Sequence, residues 1–291
     1  MKPIVYLITI HWRHLDATKE FLSSLQNADY DNLSVVLINN DPEPFPENIT
    51  QNFKNIHVIN NFKNVGFAKA MNQGIQYALE NNATYIMPIN NDTIINPNTI
   101  SILIDHTTQY PNDIVSPVIL KYGTNEIDNI GIQCLFPLAI FRLLKTYNPR
   151  KIYALSGACF MGNRDQFEKI GLFDEGYFSF AEDIDWSVRA RKHKFNLTII
   201  NESKIWHKHS VSTTEGAGWG PVKFYYIARN TMIFARKNLN GFKKLYFMTI
   251  YTLLGGPLHL LFFCRSMASF KAYLNGLLVG LNLIQKGNFY E

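Results

Sequence analysis

Cysteine is scarce in this chain, and its three copies lie far apart. Cys134, Cys159 and Cys264 are odd in number, and no two of them form a C-x-x-C pair. This pattern argues against a disulfide framework and against a cysteine-based zinc site, and it favours a reducing compartment. The N-terminal apolar run is short for a signal peptide and lacks a small-residue cleavage site. We therefore expect a buried first strand and a cytoplasmic protein.

Charged residues are also sparse. They make up 18% of the 291 residues, hydrophobic residues make up 47%, and the formal net charge is only +5. This composition predicts a folded protein with one large domain, or one domain with an appendage. The small positive charge is compatible with anionic lipid surfaces or phosphate-bearing ligands, and it is too weak to indicate nucleic acid.

Near-continuous apolar runs alternate with helical patterns in the first half of the chain. The runs predict strands buried on both faces, at Val5–Ile10, Ser34–Asn39, Ile56–Ile59, Tyr85–Ile89 and Ile114–Leu120. Helical spacing predicts helices over Asp16–Asn27, with Asp16 as the N-cap, and over Gly66–Asn81. This order predicts an α/β fold with an open, mostly parallel sheet and helices on its faces.

Polar side chains follow three of the predicted strands at the point where each strand ends. They are Thr9, His11 and Trp12 on the first strand, Asn39, Asn40 and Asp41 on the second, and Asn90, Asn91 and Asp92 on the fourth. Ligands of open α/β sheets bind at the carboxyl ends of the strands. Three polar ends on strands that should be neighbours therefore predict a ligand site at this edge.

Three carboxylates, Glu182, Asp183 and Asp185, lie within four positions and precede Trp186. If a helix begins here, Glu182 and Asp185 occupy neighbouring positions near its positive N-terminal end. Asp183 then points elsewhere and could face a substrate as a general base. An ordinary acidic first turn of a helix is the alternative.

Two turns could contact a phosphate-bearing ligand, although the chain has neither a G-x-G-x-x-G fingerprint nor a Walker loop. Gly66 allows a tight turn into a helix whose N–H groups could face a ligand. Asp92, on the turn after the fourth strand, suits a hard divalent cation shared with a diphosphate. An ordinary Asn-Asp turn feeding Pro97 is the alternative.

Two basic groups come later. His207 and His209 are two residues apart on an extended segment, and one of them could approach a metal; surface histidines are the alternative. Arg229 lies among aromatic residues on a predicted helix, where it could pair with a phosphate or make a structural ion pair.

The character of the chain changes from about Leu245. Tyr246–Cys264 is uncharged and apolar and approaches the length of a membrane span, but Gly255-Gly256-Pro257 would break a simple one. We expect one or two helices that lie on a membrane or against the domain. An ordinarily packed helical hairpin is the alternative. The predicted division is a domain over 1–240 and an apolar helical segment over 241–291.

Taken in order, these segments resemble the inverting glycosyltransferases of family 2, enzymes of the GT-A fold that use nucleotide-activated sugars. The likeness covers about residues 4–236 and is closest to the rhamnosyltransferase-like branch, which acts on cell-surface polysaccharides. The matching elements are Thr9–Trp12, Asn39-Asn40, Asn64-x-Gly66-Phe67-Ala68 with Asn72 and Gly74, Asn90-Asn91-Asp92, Ser156-Gly157-Ala158, Gly171-x-Phe173-Asp174-Glu175, Glu182-Asp183-x-Asp185-Trp186, His207 and Arg229-Asn230. The resemblance implies a Rossmann-like sheet with helices on both faces and a C-terminal helical appendage.

The resemblance also implies an activity. A sugar would move, with inversion, from a dTDP- or UDP-linked donor to a hydroxyl of a growing cell-surface glycan or lipid-linked saccharide, at the inner face of the plasma membrane. Asp183 would be the catalytic base with Glu182 beside it, and Asp92 and His207 would hold Mg²⁺ or Mn²⁺ on the diphosphate. The residues implied to bind the donor are Thr9, His11, Trp12, Asn39, Asp41, Asn64, Gly66, Phe67, Asn72, Asn90, Asn91, Asp92, Gly157 and Arg229. Those implied to bind the acceptor are Asp185, Trp186 and Trp219.

The chain departs from the family at two positions. Asn39 and Asn90 stand where many members carry Asp, which leaves base specificity and metal affinity open. A non-catalytic sugar-nucleotide or glycan-binding relative is one alternative, which these two replacements favour and the Glu182-Asp183 pair opposes. A sugar nucleotidyltransferase is another, but the first strand is not followed by the glycine-rich basic loop that such enzymes usually carry.

Overall fold

The computed structural model describes residues 2–51, 53–208 and 220–285 of the chain. Its strands are β1 (Val5–His11), β2 (Leu33–Asn39), β3 (Ile56–Asn60), β4 (Tyr85–Pro88), β5 (Thr93–Ile95), β6 (Asp113–Lys121), β7 (Ile127–Asn129), β8 (Ile132–Leu135), β9 (Ile140–Leu143), β10 (Gly162–Asn163) and β11 (Asn196–His207). Its helices are α1 (Leu15–Leu25), α2 (Glu47–Thr50), α3 (Phe67–Glu80), α4 (Thr99–Gln109), α5 (Arg164–Ile170), α6 (Glu182–Lys192), α7 (Pro221–Asn238), α8 (Gly241–Ile250), α9 (Gly256–Phe263) and α10 (Met267–Gly280).

A five-stranded sheet with the order β10-β4-β1-β2-β3 forms the centre of the fold. β1 lies between β2 and β4 and is parallel to both, β3 is parallel to β2, and only the short β10 is antiparallel. His11 lies opposite Asn39 in this register. The carboxyl ends of β1 and β2 therefore meet at one edge, as the apolar runs predict.

Side chains alternate between the two faces of this sheet, as the two-residue period of a strand requires. Leu7 packs in the apolar cluster that contains Phe21 of α1, and Ile8 packs in the cluster that contains Met71 of α3. The prediction of helices on both faces is confirmed. The predicted N-cap is wrong, because His14 occupies that position and Asp16 lies in the first turn of α1.

The fifth predicted strand belongs to a second sheet, so the expectation of one open sheet is wrong at this strand. β6 pairs with β11 and β7 in a four-stranded sheet with the order β5-β11-β6-β7. The physical reason is the length of β11, which runs for 12 residues to His207 and supplies partners for both β6 and β5.

The C-terminal helices pack on the domain, but the expected break at Gly255-Gly256-Pro257 does not occur. A π-helical turn over Tyr251–Gly255 joins α8 to α9 in one helix, and it accommodates Pro257, which follows it and has no N–H to donate. α10 then packs against α7. A Cβ at Gly276 would lie 2.2 Å from the carbonyl oxygen of Tyr225, so the two helix backbones touch.

Glycine also sets the distance between α3 and the central sheet, and this contact can be tested. A Cβ at Gly74 would lie 2.2 Å from Cγ2 of Ile8 and 2.8 Å from Cδ1 of Ile38. We expect Gly74→Val to lower the free energy of unfolding by about 2 kcal/mol, because the branched side chain overpacks this contact. Gln76→Val on the exposed face of the same helix is the matched control and should change it by less than about 0.5 kcal/mol. Equal urea midpoints for the two variants would contradict this packing.

Candidate active site

A chain of polar contacts joins the carboxyl ends of β2, β1 and β4. Oδ2 of Asp41 lies 3.1 Å from Nε2 of His11, whose Nδ1 lies 2.7 Å from Oγ1 of Thr18. The side chain of Asn91 donates to the same hydroxyl at 2.7 Å. Burial lowers the pKa of His11, against the opposing effect of Asp41, so the imidazole is neutral near pH 7. The three predicted polar strand ends therefore form one edge, which we call the strand-end site.

Thr9 and Asn39 lie beneath this edge, and both are fully buried. The side-chain amide of Asn39 donates to the carbonyl of Glu43 at 2.7 Å and to Oδ1 of Asn60 at 2.9 Å, and its Oδ1 accepts from the N–H of Asp41 at 3.0 Å. Asn39 thus shapes the turn that presents Asp41. The structure does not support a direct contact of Thr9 or Asn39 with a nucleoside. Half-buried side chains reach the surface of the site instead, among them Trp12, Asn64 and Asn90.

The turn into α3 has the tight geometry that its glycine predicts. Gly66 has a φ of 89°, and a Cβ there would lie 2.7 Å from the ring of Phe178. Asn64 holds the turn by accepting from the N–H of Gly66 at 3.0 Å. The N–H of Phe67 donates to the carbonyl of Phe178 at 2.7 Å. This N–H at the start of α3 therefore binds within the protein and does not face a ligand.

Asp183 lies at the start of α6, and two backbone N–H groups hold its carboxylate. Oδ2 accepts from Gly157 and Oδ1 from Ile184, both at 2.8 Å. Burial raises the pKa of Asp183 although these two bonds oppose it, and burial together with the neighbouring Asp183 raises the pKa of Glu182 well above its ordinary value. Of the two carboxyl groups, Glu182 therefore holds a proton more tightly than Asp183.

The loop over 156–159 connects the acidic helix start to the strand-end site. Gly157 donates to Asp183, and the carbonyl of the next residue, Ala158, accepts from the N–H of Asn90 at 3.0 Å. A Cβ at Gly157 would lie 3.2 Å from Oδ2 of Asp183, so a side chain there would crowd the carboxylate. The start of α6 and the asparagine-rich turn after β4 are therefore neighbours.

Asp92 lies beside His207 because β5 pairs antiparallel with the end of β11. Thr93 is opposite His207, and Oδ1 of Asp92 is 3.1 Å from Nε2 of the imidazole. The other nitrogen, Nδ1, is 3.7 Å from Oδ2 of Asp128 on β7. Burial opposes the charged imidazolium, but the contacts with Asp128 and Asp92 outweigh it and raise the pKa of His207 to about 9.

Oδ1 of Asp92 and Nε2 of His207 are 3.1 Å apart, which is the distance of an ion pair. These two side chains would hold a divalent cation only after the imidazole has lost its proton, because a metal-bound histidine is neutral. Asp128, on the far nitrogen, would orient the imidazole as partner carboxylates do for metal-bound histidines. Within the described ranges, no set of three or more His, Cys, Asp or Glu side chains could hold a metal on its own. A cation would complete its ligands from a substrate and water.

The fold and the sequence both match known proteins. The sequence profile of the family described as Glycosyl transferase family 2 matches residues 7–171, more than half of the chain. The chain belongs to glycosyltransferase family 2. This finding confirms the family expected from the sequence, and the region it matches contains Asn39, Asp92 and Gly157.

Curated relatives place this family 2 glycosyltransferase near the rhamnosyltransferases. It is 25% identical over 238 residues to the dTDP-rhamnosyl transferase RfbF of Shigella flexneri, covering 77% of this chain and 79% of the relative. It is 23% identical over 239 residues to an N-acetylglucosaminyl-diphospho-decaprenol L-rhamnosyltransferase of Mycobacterium tuberculosis, covering 72% and 77%. The rhamnosyltransferase-like branch expected from the sequence is confirmed, and the chain is a glycosyltransferase of glycan biosynthesis.

Solved structures with low sequence identity share the fold. S. aureus TarS superposes with a TM-score of 0.62 at 14% identity, over 97% of this chain and 49% of that one. GalNAc-T7, solved with UDP, GalNAc and Mn²⁺, superposes with a TM-score of 0.64 at 14% identity, over 88% of this chain and 57% of that one. The GT-A fold class is confirmed.

Two residues expected to bind the acceptor serve the fold of this glycosyltransferase instead. Asp185 accepts from Nε of Arg189 at 2.9 Å and from the side chain of Asn238 at 2.6 Å, and it is buried. Trp186 is 1% exposed, and its Nε1 donates to the carbonyl of Gly171. Their geometry does not support contact with an acceptor. The third expected residue, Trp219, lies outside the described residues.

Two residues expected to bind the donor also make structural contacts. Nη1 of Arg229 donates to the carbonyl of Gly176 at 3.0 Å and to Oδ1 of Asn230 at 2.7 Å. The side chain of Asn72 bonds twice to the backbone of Phe173, through Nδ2 to its carbonyl and through Oδ1 to its N–H, each at 2.9 Å. Both residues fix the segment before α6, so the direct donor contacts expected for them are not supported.

The sequence reading missed two residues of the site. Asp128 lies against His207, and its only signal in the sequence is a lone carboxylate outside any motif. Asn230 was noted only as a neighbour of Arg229. It is fully buried, and its amide donates to the carbonyls of Ser179 and Phe180, both at 2.7 Å.

The bonds from Asn230 hold a strained turn immediately before Glu182 and Asp183. Phe180 and Ala181 have φ values of 68° and 72°, a left-handed conformation that costs roughly 1–2 kcal/mol per non-glycine residue. Two net hydrogen bonds of about 1 kcal/mol each are of the size needed to offset this strain. Asn230 therefore positions Asp183 through the backbone that precedes it.

We expect Asn230→Ala to lower kcat at least about tenfold, because misplacing a catalytic group by an ångström costs up to about a hundredfold. The dissociation constant for the donor should change little, because the side chain of Asn230 bonds to the turn and to Arg229 of its own helix. Thr231→Val is the matched control: it is also buried on α7, and its hydroxyl bonds to Ile227 of the same helix. Single-turnover transfer and donor titration separate the two effects. Equal kcat for the two variants would show that the bonds from Asn230 to the turn have no role in catalysis.

Proposed function

We propose that this protein transfers a sugar, with inversion, from a nucleoside-diphosphate donor to a hydroxyl of a growing cell-surface glycan or lipid-linked saccharide. The observation that carries the proposal is the position of Asp183. Its carboxylate is oriented by two N–H groups, and one of them, from Gly157, belongs to the loop that also binds Asn90. A base and a diphosphate-binding turn thus lie on either side of one loop.

The donor is proposed to be linked to dTDP or UDP. The relative from Shigella flexneri is named a dTDP-rhamnosyl transferase, and S. aureus TarS has been solved with UDP-GlcNAc. In this chain Trp12 and Asp41 lie at the half-buried ends of β1 and β2, where a nucleoside can be approached. Two further expected donor residues at this edge support Asp41. His11 contacts Asp41 directly, and Asn91 donates to Thr18, which contacts the other nitrogen of His11.

In the proposed step, a hydroxyl oxygen of the acceptor forms a bond to the anomeric carbon as the bond from that carbon to the diphosphate breaks on the opposite face. The proton of the hydroxyl passes to Asp183, and the nucleoside diphosphate leaves. Keeping Glu182 neutral leaves Asp183 as the charged carboxylate that accepts the proton. A Mg²⁺ or Mn²⁺ ion on Asp92 and His207 would supply charge stabilisation for the leaving diphosphate.

The proposed place of this reaction is the cytoplasm. All three cysteines are free thiols, and burial raises the pKa of the Cys134 thiol to about 12, which keeps it unreactive. This supports a reducing compartment. The expected peripheral membrane contact would be made by a different part of the molecule, the C-terminal helices α8, α9 and α10.

We expect Asp183→Asn to lower kcat by at least about a hundredfold, since general-base assistance is worth roughly a hundred- to ten-thousand-fold. Donor affinity should be retained, because the amide keeps the shape of the carboxylate. Release of nucleoside diphosphate from dTDP- and UDP-sugars in the presence of an acceptor measures the effect. Asp165→Asn, at an exposed carboxylate on α5, is the control and should be neutral. Activity of the Asp183 variant within a few-fold of wild type would reject Asp183 as the base.

Chelation tests the cation. We expect EDTA to abolish transfer and Mn²⁺ or Mg²⁺ to restore it, because the charge on the diphosphate would otherwise be unbalanced. Asp92→Asn should require a higher cation concentration for half-maximal transfer, since one charged ligand is lost. Undiminished transfer in EDTA would rule out a required cation.

A further inference from the structure

Acidic residues are absent from a long part of the C-terminal sequence. Between Glu215 and Glu291 there is no Asp or Glu, although the chain has 23 of them, and the same stretch contains nine Lys and Arg residues. A segment with one sign of charge is attracted to a surface of the opposite sign. Two of the nine, Lys243 and Lys244, lie in the first turn of α8, where the helix dipole disfavours a positive charge. Helix stability therefore does not explain them.

The same part of the chain exposes large apolar side chains. On the helix formed by α8, the π-helical turn and α9, these are Phe242, Leu245, Leu253, Leu261 and Phe262, each more than 60% exposed. On α10, Met267, Phe270 and Leu274 are also exposed. We call these eight residues the C-terminal face. The start of α9 lies against α10, since a Cβ at Gly256 would overlap the hydroxyl of Tyr273. Large exposed apolar side chains that cluster on neighbouring helices mark a protein or membrane contact.

The helix that carries most of this face lies along the domain. Among the described residues, Gly241–Phe263 is one helix of 23 residues that is long and apolar enough to cross a membrane. However, Phe247 and Tyr251 in its middle are buried, and a Cβ at Gly255 would lie 2.2 Å from the carbonyl oxygen of Leu138. A helix docked on a polar globular domain along its middle cannot cross a bilayer without carrying that domain with it. The exposed side of this helix can therefore lie on a membrane surface, but the helix cannot span the membrane.

We propose that the C-terminal face binds a bilayer that contains anionic lipid, with the helix parallel to the membrane plane. Apolar side chains on one side and basic residues around them are the two features that hold interfacial helices to anionic membranes. The basic residues here are Lys243 and Lys244 before the exposed stretch, Arg265 after α9 and Lys271 on α10.

Charge argues against a second copy of the chain as the occupant. Two such faces in contact would bring their lysines and arginines together, and the segment that carries them has no Asp or Glu between residues 216 and 290. Like charges at an interface are repulsive. A bilayer with phosphate-bearing headgroups complements the same charges. The proposal does not depend on the glycosyltransferase chemistry, because it concerns binding alone.

The test is co-sedimentation of the full chain with two kinds of vesicle, phosphatidylcholine alone and phosphatidylcholine mixed with phosphatidylglycerol. We expect binding to the mixed vesicles that weakens with salt. Leu253→Gln with Leu261→Gln should lower the partition coefficient at least about tenfold. Lys243→Gln with Lys244→Gln should lower it at least about tenfold on mixed vesicles and leave it unchanged on phosphatidylcholine. Tyr110→Gln, at an exposed ring after α4, is the matched control and should bind as wild type.

Two results would overturn the proposal. One is equal partitioning of the leucine variant and wild type, with circular dichroism melts showing both folded. The other is a dimer by light scattering that the leucine variant makes monomeric, since the face would then be an interface between copies. The lysine pair keeps the test decisive if the leucine variant is unstable, because both lysines are on the surface.

Discussion

Two adjacent backbone groups hold the candidate active site together. The N–H of Gly157 binds Asp183, and the carbonyl of Ala158 binds the N–H of Asn90. Both contacts come from the backbone, so they depend on the path of the loop and on the lack of a side chain at Gly157. If this loop moved, Asp183 and the turn that is proposed to carry the diphosphate would no longer lie next to each other.

Next to this loop lie two buried carboxyl groups and a strained backbone turn. Glu182 and Asp183 sit next to each other, and burial raises the pKa of each, so one proton between them is the stable arrangement. The two left-handed residues before them are stabilised by Asn230 of α7. The opposite side of α7 packs on α10 through Gly276 and Gly280. The helix α7 therefore lies between α10 and the backbone that precedes Asp183.

The apolar runs predicted the strands well, because buried parallel strands need apolar residues on both faces. The polar strand ends followed from the same runs, since the end of a run is visible in the sequence. The direction of individual side chains was not predictable. Trp186 and Arg229 belong to conspicuous motifs, yet both point into the protein, because helix register and tertiary packing decide which face a residue presents. Pro257 was misread since a π-helical turn accommodates it, and a local pattern carries no signal for such a turn.

Asp128 and Asn230 show a second limit of sequence reading. Each acts through a partner far away in sequence: Asp128 lies against His207, and Asn230 against Ser179 and Phe180. A single carboxylate or amide has no periodicity, so only the fold reveals its partner.

The most direct test is a crystal structure of the protein with Mn²⁺ and a non-transferable nucleotide-sugar analogue. The account predicts Mn²⁺ within about 2.5 Å of a carboxylate oxygen of Asp92, bridging to the diphosphate, with Asp183 on the face of the anomeric carbon opposite the leaving oxygen. A nucleotide bound away from the carboxyl ends of β1, β2 and β4, or Asp183 on the same face as the diphosphate, would contradict it.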